Sequence, residues 1–161
     1  MKTIYFIRHA KSSWEDFSLR DIDRPLNDRG KRDAPKMARY LKDLQVQPDL
    51  IISSPAKRAR KTAKIFREVL GNPPVEIENG IYEASTADIF RIVQDIKDDY
   101  SLVLLFGHNP TFTSIANQFT HELIMNVPTC GIIKVECEID AWKNFSGEHG
   151  KLTAFYYPKM L

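Results

Sequence analysis

Short, uninterrupted apolar runs separated by helix-length intervals constrain the fold of this chain more than any other feature. A run without polar alternation is typical of a strand that is buried on both faces of a parallel sheet. The clearest run is 102–106, where five apolar residues follow one another. Weaker runs of the same kind occupy 3–7, 50–52 and 75–77. This alternation of runs and intervals predicts an α/β fold.

The intervals between these runs carry helical periodicity. Apolar residues recur three and four positions apart in 34–41, 89–96 and 112–119, which is the spacing of one helix face. Ser85 and Asp88 form a capping pattern, so we expect the helix over 89–96 to begin there. Pro35 lies inside the first pattern and predicts that this helix kinks or starts late.

The pattern changes after Asn126. The stretches 132–139 and 152–157 are predicted strands, with turn residues between them at Ser146-Gly147 and Gly150. The earlier helical intervals predict β-α-β crossovers. We therefore expect one domain over residues 1–161, a three-layer α/β/α sandwich with a mostly parallel central sheet. Its C-terminal end is expected to supply an antiparallel edge.

Composition excludes several classes of protein. The chain has 23 Lys and Arg against 21 Asp and Glu, a net charge of +2 that is too balanced to indicate a nucleic-acid or membrane partner. Cys130 and Cys137 are too few for a disulfide framework, and their spacing places two reduced thiols on opposite faces of one strand. No apolar stretch approaches the ~20 residues of a membrane span, and the N-terminal run lacks a leader pattern. We therefore expect a cytoplasmic protein.

Polar side chains follow three of the predicted strands, at the end where open α/β sheets bind their ligands. Arg8 and His9 follow the first strand, and His108 follows the strongest one. Ser53-Ser54-Pro55 follows the second strand, with Arg58 just beyond. We expect these side chains to converge on one edge of the sheet. Two histidines beside two arginines predict an anion site there.

Two of these loops are predicted to begin helices. Ser54-Pro55 and Asn109-Pro110 each fit an N-cap residue followed by proline in the first helical position. The free N–H groups and partial positive charge of such a helix end suit a bound anion. Arg58 would lie in the first turn and lean back toward that anion. Taken alone, however, a basic run such as 57–61 is more often a solvated helix face.

The motifs at these positions resemble those of the histidine phosphatase superfamily, which carries Arg-His-Gly after its first strand. This chain has Arg8-His9-Ala10 there, and the departure at Ala10 requires an ordinary negative φ. Further matching motifs follow in the family's order: Lys11-Ser12-Ser13-Trp14, Arg24-Pro25-Leu26, Ser53-Ser54-Pro55, Arg58-Ala59 with Thr62, Tyr82-Glu83-Ala84-Ser85 and Gly107-His108-Asn109-Pro110. The set is most similar to the SixA branch, the phosphohistidine phosphatases, and implies a phosphoglycerate mutase-like fold.

The resemblance implies a role for each residue of the predicted anion site. It assigns His9 as the nucleophile that takes the phosphoryl group, while Arg8, Arg58 and His108 hold the phosphoryl oxygens. His108 can do so only if it is protonated or donates from a neutral nitrogen. No metal or cofactor is implied, because the arginines take the place that magnesium has in kinases.

Three further residues are candidates, and two of them have an alternative role. Glu83 stands where many superfamily members have the acid that protonates the leaving group; otherwise it is an exposed turn residue. Arg24 is a candidate for substrate binding, or it forms an ion pair with Asp21 or Asp23. The N–H of Asn109 is a candidate additional donor to the substrate.

The residues and the resemblance together predict a phosphatase that passes a phosphoryl group through His9 to water. The favoured substrate is a phosphohistidine on a protein, for example on a histidine phosphotransfer domain. One alternative is a small phosphorylated metabolite, hydrolysed or isomerised in the same pocket. The other is a non-catalytic phosphate-binding module, which would keep the arginines and have no need of His9.

Overall fold

Six strands form one sheet at the centre of the molecule. The computed structural model describes residues 1–161. The strands are β1 (Lys2–Arg8), β2 (Leu50–Ser53), β3 (Val75–Ile77), β4 (Leu102–Gly107), β5 (Ile132–Cys137) and β6 (Gly150–Tyr156). Their order is β3-β2-β4-β1-β5-β6.

The prediction of a mostly parallel sheet is confirmed. The neighbouring pairs among β1 to β4 are all parallel. Strand β5 pairs antiparallel with both β1 and β6, so β6 runs in the same direction as β1 and only β5 is reversed. The antiparallel part of the sheet therefore lies at the C-terminal end of the chain, as the sequence predicted.

Four helices cover the two faces of the sheet. They are α1 (Asp28–Asp43), α2 (Lys57–Val69), α3 (Thr86–Gln94) and α4 (Thr111–Gln118). Tyr5 and Ile7 of β1 are buried in one core with α1 and α2, whereas Ile4 and Phe6 are buried in a second core with α3 and α4. This alternation follows from the two-residue period of a strand, and it confirms the three layers.

The first helix does not start late. Helix α1 begins at Asp28, where the side chain of Asn27 accepts a hydrogen bond from the N–H of Gly30, and it continues through Pro35. The late start is wrong because the cap at Asn27 stabilises the first turn and the buried face on both sides of Pro35, at Ala34 and Met37, holds the helix against the sheet; a kink at Pro35 stays a prediction.

Of the predicted starts of the other three helices, one is confirmed and two are wrong. The capping box of Ser85 and Asp88 is present at the start of α3, as predicted. Helix α2, however, begins at Lys57 and α4 at Thr111, so the predicted cap-and-proline pairs at Ser54-Pro55 and Asn109-Pro110 are both wrong. The Ser54 hydroxyl instead accepts a hydrogen bond from the Ala56 N–H in the turn before α2.

The two cysteines lie in different cores on opposite sides of the sheet, as predicted, but not on one strand as their spacing suggested. Cys137 ends β5, whereas Cys130 precedes that strand. Both thiols are fully buried, which raises the pKa of Cys137 to about 11 and the pKa of Cys130 above its ordinary value. None of the helices combines the length and apolar character that crossing a bilayer would require.

Candidate active site

The ends of three neighbouring strands bring the predicted residues together. Strand β4 lies between β1 and β2 in the sheet, so the loops that follow these strands meet at one edge. The ring centroids of His9 and His108 are 5.3 Å apart. Arg8 and Arg58 lie close enough to lower the pKa of both histidines. We call Arg8, His9, Arg58 and His108 the Arg–His cluster.

The His9 imidazole is neutral and has one nitrogen without a proton. Its Nδ1 lies 2.8 Å from the carbonyl oxygen of Ala10, and since a carbonyl only accepts, Nδ1 must carry the proton. The lone pair is therefore on Nε2. Burial lowers the pKa of His9 to about 3, and the nearby charges of His108 and Arg58 act in the same direction. The hydrogen bond to Ala10 raises the pKa but is outweighed. The side chain is not at the rim of the site: His9 is only 7% exposed.

A short chain of hydrogen bonds fixes the backbone that holds His9. The N–H of Ala10 donates to the Thr62 hydroxyl at 3.0 Å, and this hydroxyl donates to the carbonyl of Arg58 at 2.7 Å. The loop after β1 and the first turns of α2 are thereby locked together. Ala10 is not among the residues with positive φ, so the expected ordinary backbone at this position is confirmed.

His108 is held by a buried serine. Its Nε2 lies 2.8 Å from the hydroxyl of Ser54. The same hydroxyl oxygen accepts from the N–H of Ala56, which leaves its own proton free to donate to Nε2. Burial, followed by the charge of Arg58, lowers the pKa of His108 to about 4, although Asp21 opposes this shift. His108 was expected to donate either as a protonated ring or from a nitrogen of the neutral ring. The neutral ring fits this environment.

Three donors of the Arg–His cluster are buried and have no partner in the protein. They are Nε of Arg8, Nε of Arg58 and Nδ1 of His108. Arg8 does donate from Nη1 to the carbonyl of Val127 at 3.0 Å, and burial, with the nearby Arg58, lowers its pKa. A buried donor without a partner costs about 1–3 kcal/mol. An anion with several acceptor oxygens would therefore stabilise the cluster.

The sequence indicated Asp21 only as an alternative partner of Arg24 and missed its contacts with Arg58 and Tyr82. Its carboxylate accepts hydrogen bonds from Nη2 of Arg58 at 3.0 Å and from the hydroxyl of Tyr82 at 2.6 Å. Its backbone carbonyl accepts from Nη1 of Arg58 at 2.7 Å. Burial would raise the pKa of Asp21, but the bonds from Tyr82 and Arg58 outweigh it and lower the pKa to about 2. Asp21 thus orients Arg58 as a permanently charged partner.

Arg24 is buried between an acid and an aromatic ring. Its Nε donates to Asp21 at 3.2 Å, and its guanidinium lies 3.4 Å from the centroid of the Trp14 ring. Asp23 pairs instead with Arg20. Of the alternatives weighed for Arg24, the ion pair with Asp21 is present, and it ties Arg24 to the same carboxylate that holds Arg58.

Glu83 combines features of both interpretations given to it. It is an exposed residue in a turn, and it also lines a cavity of about 220 Å³ together with His108 and Asn109. Its φ is 59°, a left-handed conformation that costs a residue other than glycine about 1–2 kcal/mol. Conformations of this kind are found at functional sites more often than elsewhere.

The side chain of Asn109 braces the site, and its backbone N–H is free. The amide nitrogen donates to Asn126 and to the Val127 carbonyl, while the amide oxygen accepts from Thr113. The backbone N–H of Asn109 has no partner within the protein, so it stays available for the predicted contact with substrate. Arg60, by contrast, is exposed and donates to the Pro55 carbonyl.

A second cleft, of about 440 Å³, also has Asn109 in its lining. Arg8, Thr113 and Met125 are among its lining residues. The Arg–His cluster is thus flanked by two spaces, one beside Glu83 and one beside Met125. Nowhere do three or more His, Cys, Asp or Glu side chains come together in a group that could hold a metal ion.

Comparison with known proteins identifies the class. The family model of the histidine phosphatase superfamily, branch 1, matches residues 4–110. The chain therefore belongs to the histidine phosphatase superfamily, and it is a phosphatase of that class.

Individual relatives and solved structures are similar over most of the chain. An uncharacterised chloroplastic protein of Arabidopsis thaliana is 31% identical over 152 residues, which cover 88% of this chain and 69% of the relative. A solved structure of a candidate phosphohistidine phosphatase SixA from Agrobacterium tumefaciens is 26% identical, with a TM-score of 0.84 over 98% of both chains. A mycobacterial glucosyl-3-phosphoglycerate phosphatase is 14% identical, with a TM-score of 0.71 over 94% of this chain and 96% of its own.

Proposed function

We propose that this protein is a phosphohistidine phosphatase that forms a covalent phosphoryl intermediate on His9. The observation that carries the proposal is the state of His9. Its imidazole is neutral, its Nδ1 proton is engaged by Ala10, and the charges of Arg58 and Arg8 are close enough to lower its pKa. A neutral nitrogen nucleophile beside fixed positive charges suits attack on a phosphoryl group.

The reaction follows from this geometry in two steps. First, Nε2 of His9 forms a bond to phosphorus while the bond to the leaving group breaks, and the leaving group takes a proton. Then a water attacks phosphorus, the bond to Nε2 breaks, and inorganic phosphate leaves with His9 restored. Donors of Arg8, Arg58 and His108 would bind the equatorial oxygens, where charge is spread in the transition state.

The preference for phosphohistidine rests on likeness and on the leaving group. The fold is nearer to the SixA structure than to the metabolite phosphatase, with TM-scores of 0.84 and 0.71. The phosphorylated partner would then be a protein, such as a histidine phosphotransfer domain. An imidazole leaves more readily than an alkoxide and has less need of an acid, which fits a site whose candidate acid, Glu83, is an exposed turn residue.

A second candidate function is hydrolysis of a small phosphorylated metabolite. The position of Glu83 favours it, because this carboxyl lines the cavity beside His108 and could protonate an alkoxide. A non-catalytic phosphate-binding module is a weaker candidate, because binding alone would not require the neutral nucleophile at His9.

The test is to trap the intermediate and to compare substrates. Brief reaction with phosphoramidate, followed by alkaline denaturation and mass spectrometry, should show one phosphoryl group on His9. His9→Ala should lose turnover while its circular dichroism spectrum stays that of the wild type. Turnover should persist in excess chelator, and it should be faster for a phosphorylated histidine domain than for sugar phosphates or phosphoglycerates. A His9→Ala variant with activity within about tenfold of wild type would refute the proposed intermediate.

A further inference from the structure

Exposed apolar side chains are concentrated in two segments, each of which includes a residue that borders the candidate active site. Eleven large apolar residues are exposed, three of them at the chain termini. Of the other eight, five lie in two segments: Trp14, Phe17 and Leu19 in the loop after β1, and Leu123 and Met125 before β5. Phe17 is 90% exposed and Met125 82%. Since monomers rarely gather large apolar side chains on one surface, such a patch indicates a binding surface.

The loop after β1 is tied directly to the Arg–His cluster. The Trp14 ring stacks on the guanidinium of Arg24, which donates to Asp21. The same carboxylate holds Arg58. The exposed ring of Phe17, three residues beyond Trp14, is therefore carried by a loop whose base is part of the site.

The second segment borders the cluster on the side of Arg8. Met125 and Arg8 line the same cleft of about 440 Å³. The segment is held in place by Asn109, whose amide nitrogen donates to Asn126 and to the carbonyl of Val127. One apolar segment is thus linked to Arg58 through Arg24 and Asp21, and the other borders Arg8.

We propose that these two segments form a docking surface for a folded protein that presents a phosphorylated side chain within an apolar patch. The inference rests on the proposed function and names the kind of partner. Charge complementarity supports it: the phosphoryl dianion meets the unpaired donors of the cluster, and the apolar residues around it meet Phe17 and Leu123. A small phosphorylated metabolite would fill the space between the segments and leave these outward-facing side chains in water.

The experiment separates docking from chemistry with two substrates. Phe17→Ser and Leu123→Ser are compared with Leu44→Ser, an exposed apolar residue at the end of α1, remote from the site. The substrates are phosphoramidate and two unrelated histidine phosphotransfer domains phosphorylated by it. For the domains we expect kcat/KM to fall about tenfold or more in both site variants, mainly through KM. Phosphoramidate hydrolysis should stay within about twofold of wild type in all three variants.

Any other outcome contradicts either the docking surface or the proposed function. If the site variants hydrolyse the phosphorylated domains as fast as Leu44→Ser does, the segments do not dock the partner. If phosphoramidate hydrolysis falls as much as that of the domains, the segments support the site and do not form a docking surface. A wild type that turns over phosphoramidate but neither domain overturns the docking proposal and the preference for phosphohistidine on a protein, while the intermediate on His9 stands. A wild type that turns over none of the substrates overturns the proposed function.

Discussion

At the scale of single residues, Asp21 offers the sharpest test of how the Arg–His cluster is organised. Asp21→Asn keeps the shape of the side chain and removes the charge that holds Arg58 and Arg24. Charge-assisted hydrogen bonds contribute about 1.5–3 kcal/mol, so we expect kcat/KM to fall by roughly 10–100-fold. Because the charge of Asp21 opposes the lowering of the His108 pKa, the variant should also lower that pKa further. The measurements are a pH–rate profile and an NMR titration of His108.

The matched control for this variant is Asp23→Asn. Asp23 lies two residues away in the same turn and pairs with the exposed Arg20, not with the cluster. It should leave both the rate and the His108 titration close to wild type. Equal losses in the two variants would mean that the turn as a whole, and not the Asp21 carboxylate, matters for activity.

Glu83 can be tested through the leaving group. If it is the general acid, its removal should matter most for an alkoxide, which needs its proton in the transition state. Glu83→Gln should then slow alkyl phosphate hydrolysis by about 10²–10⁴-fold and slow phosphohistidine or nitrophenyl phosphate far less. The measurement is kcat/KM for the three substrates in both proteins. A uniform small effect would leave Glu83 as a turn residue, and a uniform large one would indicate phosphate positioning.

At the scale of elements, α1 packs against the loop that carries the nucleophile. The N–H of Asn27 donates to the carbonyl of Lys11 at 3.0 Å, and a Cβ added at Gly30 would lie 2.2 Å from that same carbonyl oxygen. Helix propensity alone favours Gly30→Ala by about 1 kcal/mol. We expect the clash to outweigh this gain and destabilise the protein by about 1–3 kcal/mol, with lower activity as the Ala10-Lys11 backbone shifts.

Urea unfolding and kcat, measured together, check this expectation. The control is Gly147→Ala, where the nearest atom to an added Cβ is 3.7 Å away, so stability and rate should barely change. A more stable Gly30→Ala variant with wild-type kcat would show that the close approach of α1 to the loop is not needed.

At the scale of the whole molecule, the buried histidines make stability depend on pH. The pKa values of His9 and His108 in the folded protein are about 3 and about 4, because burial disfavours the charged rings. The unfolded chain takes up these protons near its ordinary pKa of about 6.5, well before the folded protein does. Stability is therefore lost as the pH falls through this window, by up to about 1.4 kcal/mol per pH unit for each histidine.

Urea unfolding between about pH 7 and about pH 5 measures this slope. His108→Asn should reduce it by about one proton, whereas the change of an exposed histidine outside the site, His121→Asn, should not. Asp21 does not contribute in this range: its pKa is lowered to about 2, so its stabilisation is complete above its ordinary pKa and is lost only at lower pH. An unchanged slope in His108→Asn would contradict the burial of a neutral ring.

The sequence by itself determined the strands, most of the helices and the edge of the sheet at which the site lies. These follow from local patterns. An apolar run such as 102–106 is typical of a strand that is buried on both faces of a parallel sheet, and the residue after such a strand must lie at its carboxyl end. Local patterns alone therefore suffice to group His9, His108 and Arg58. Their catalytic roles remain predictions that the family assignment supports.

Only the tertiary structure decided which partners these residues have. Asp21 and Arg58 are 37 residues apart, and Ser54 and His108 are 54 apart. A carboxylate among 21 acidic residues carries no local sign of the arginine it will meet, because pairing across loops depends on how the loops are held after folding. The burial of His9 could not be predicted from the sequence either, because the packing of three strand ends around its ring, which keeps the ring neutral, exists only in the folded chain.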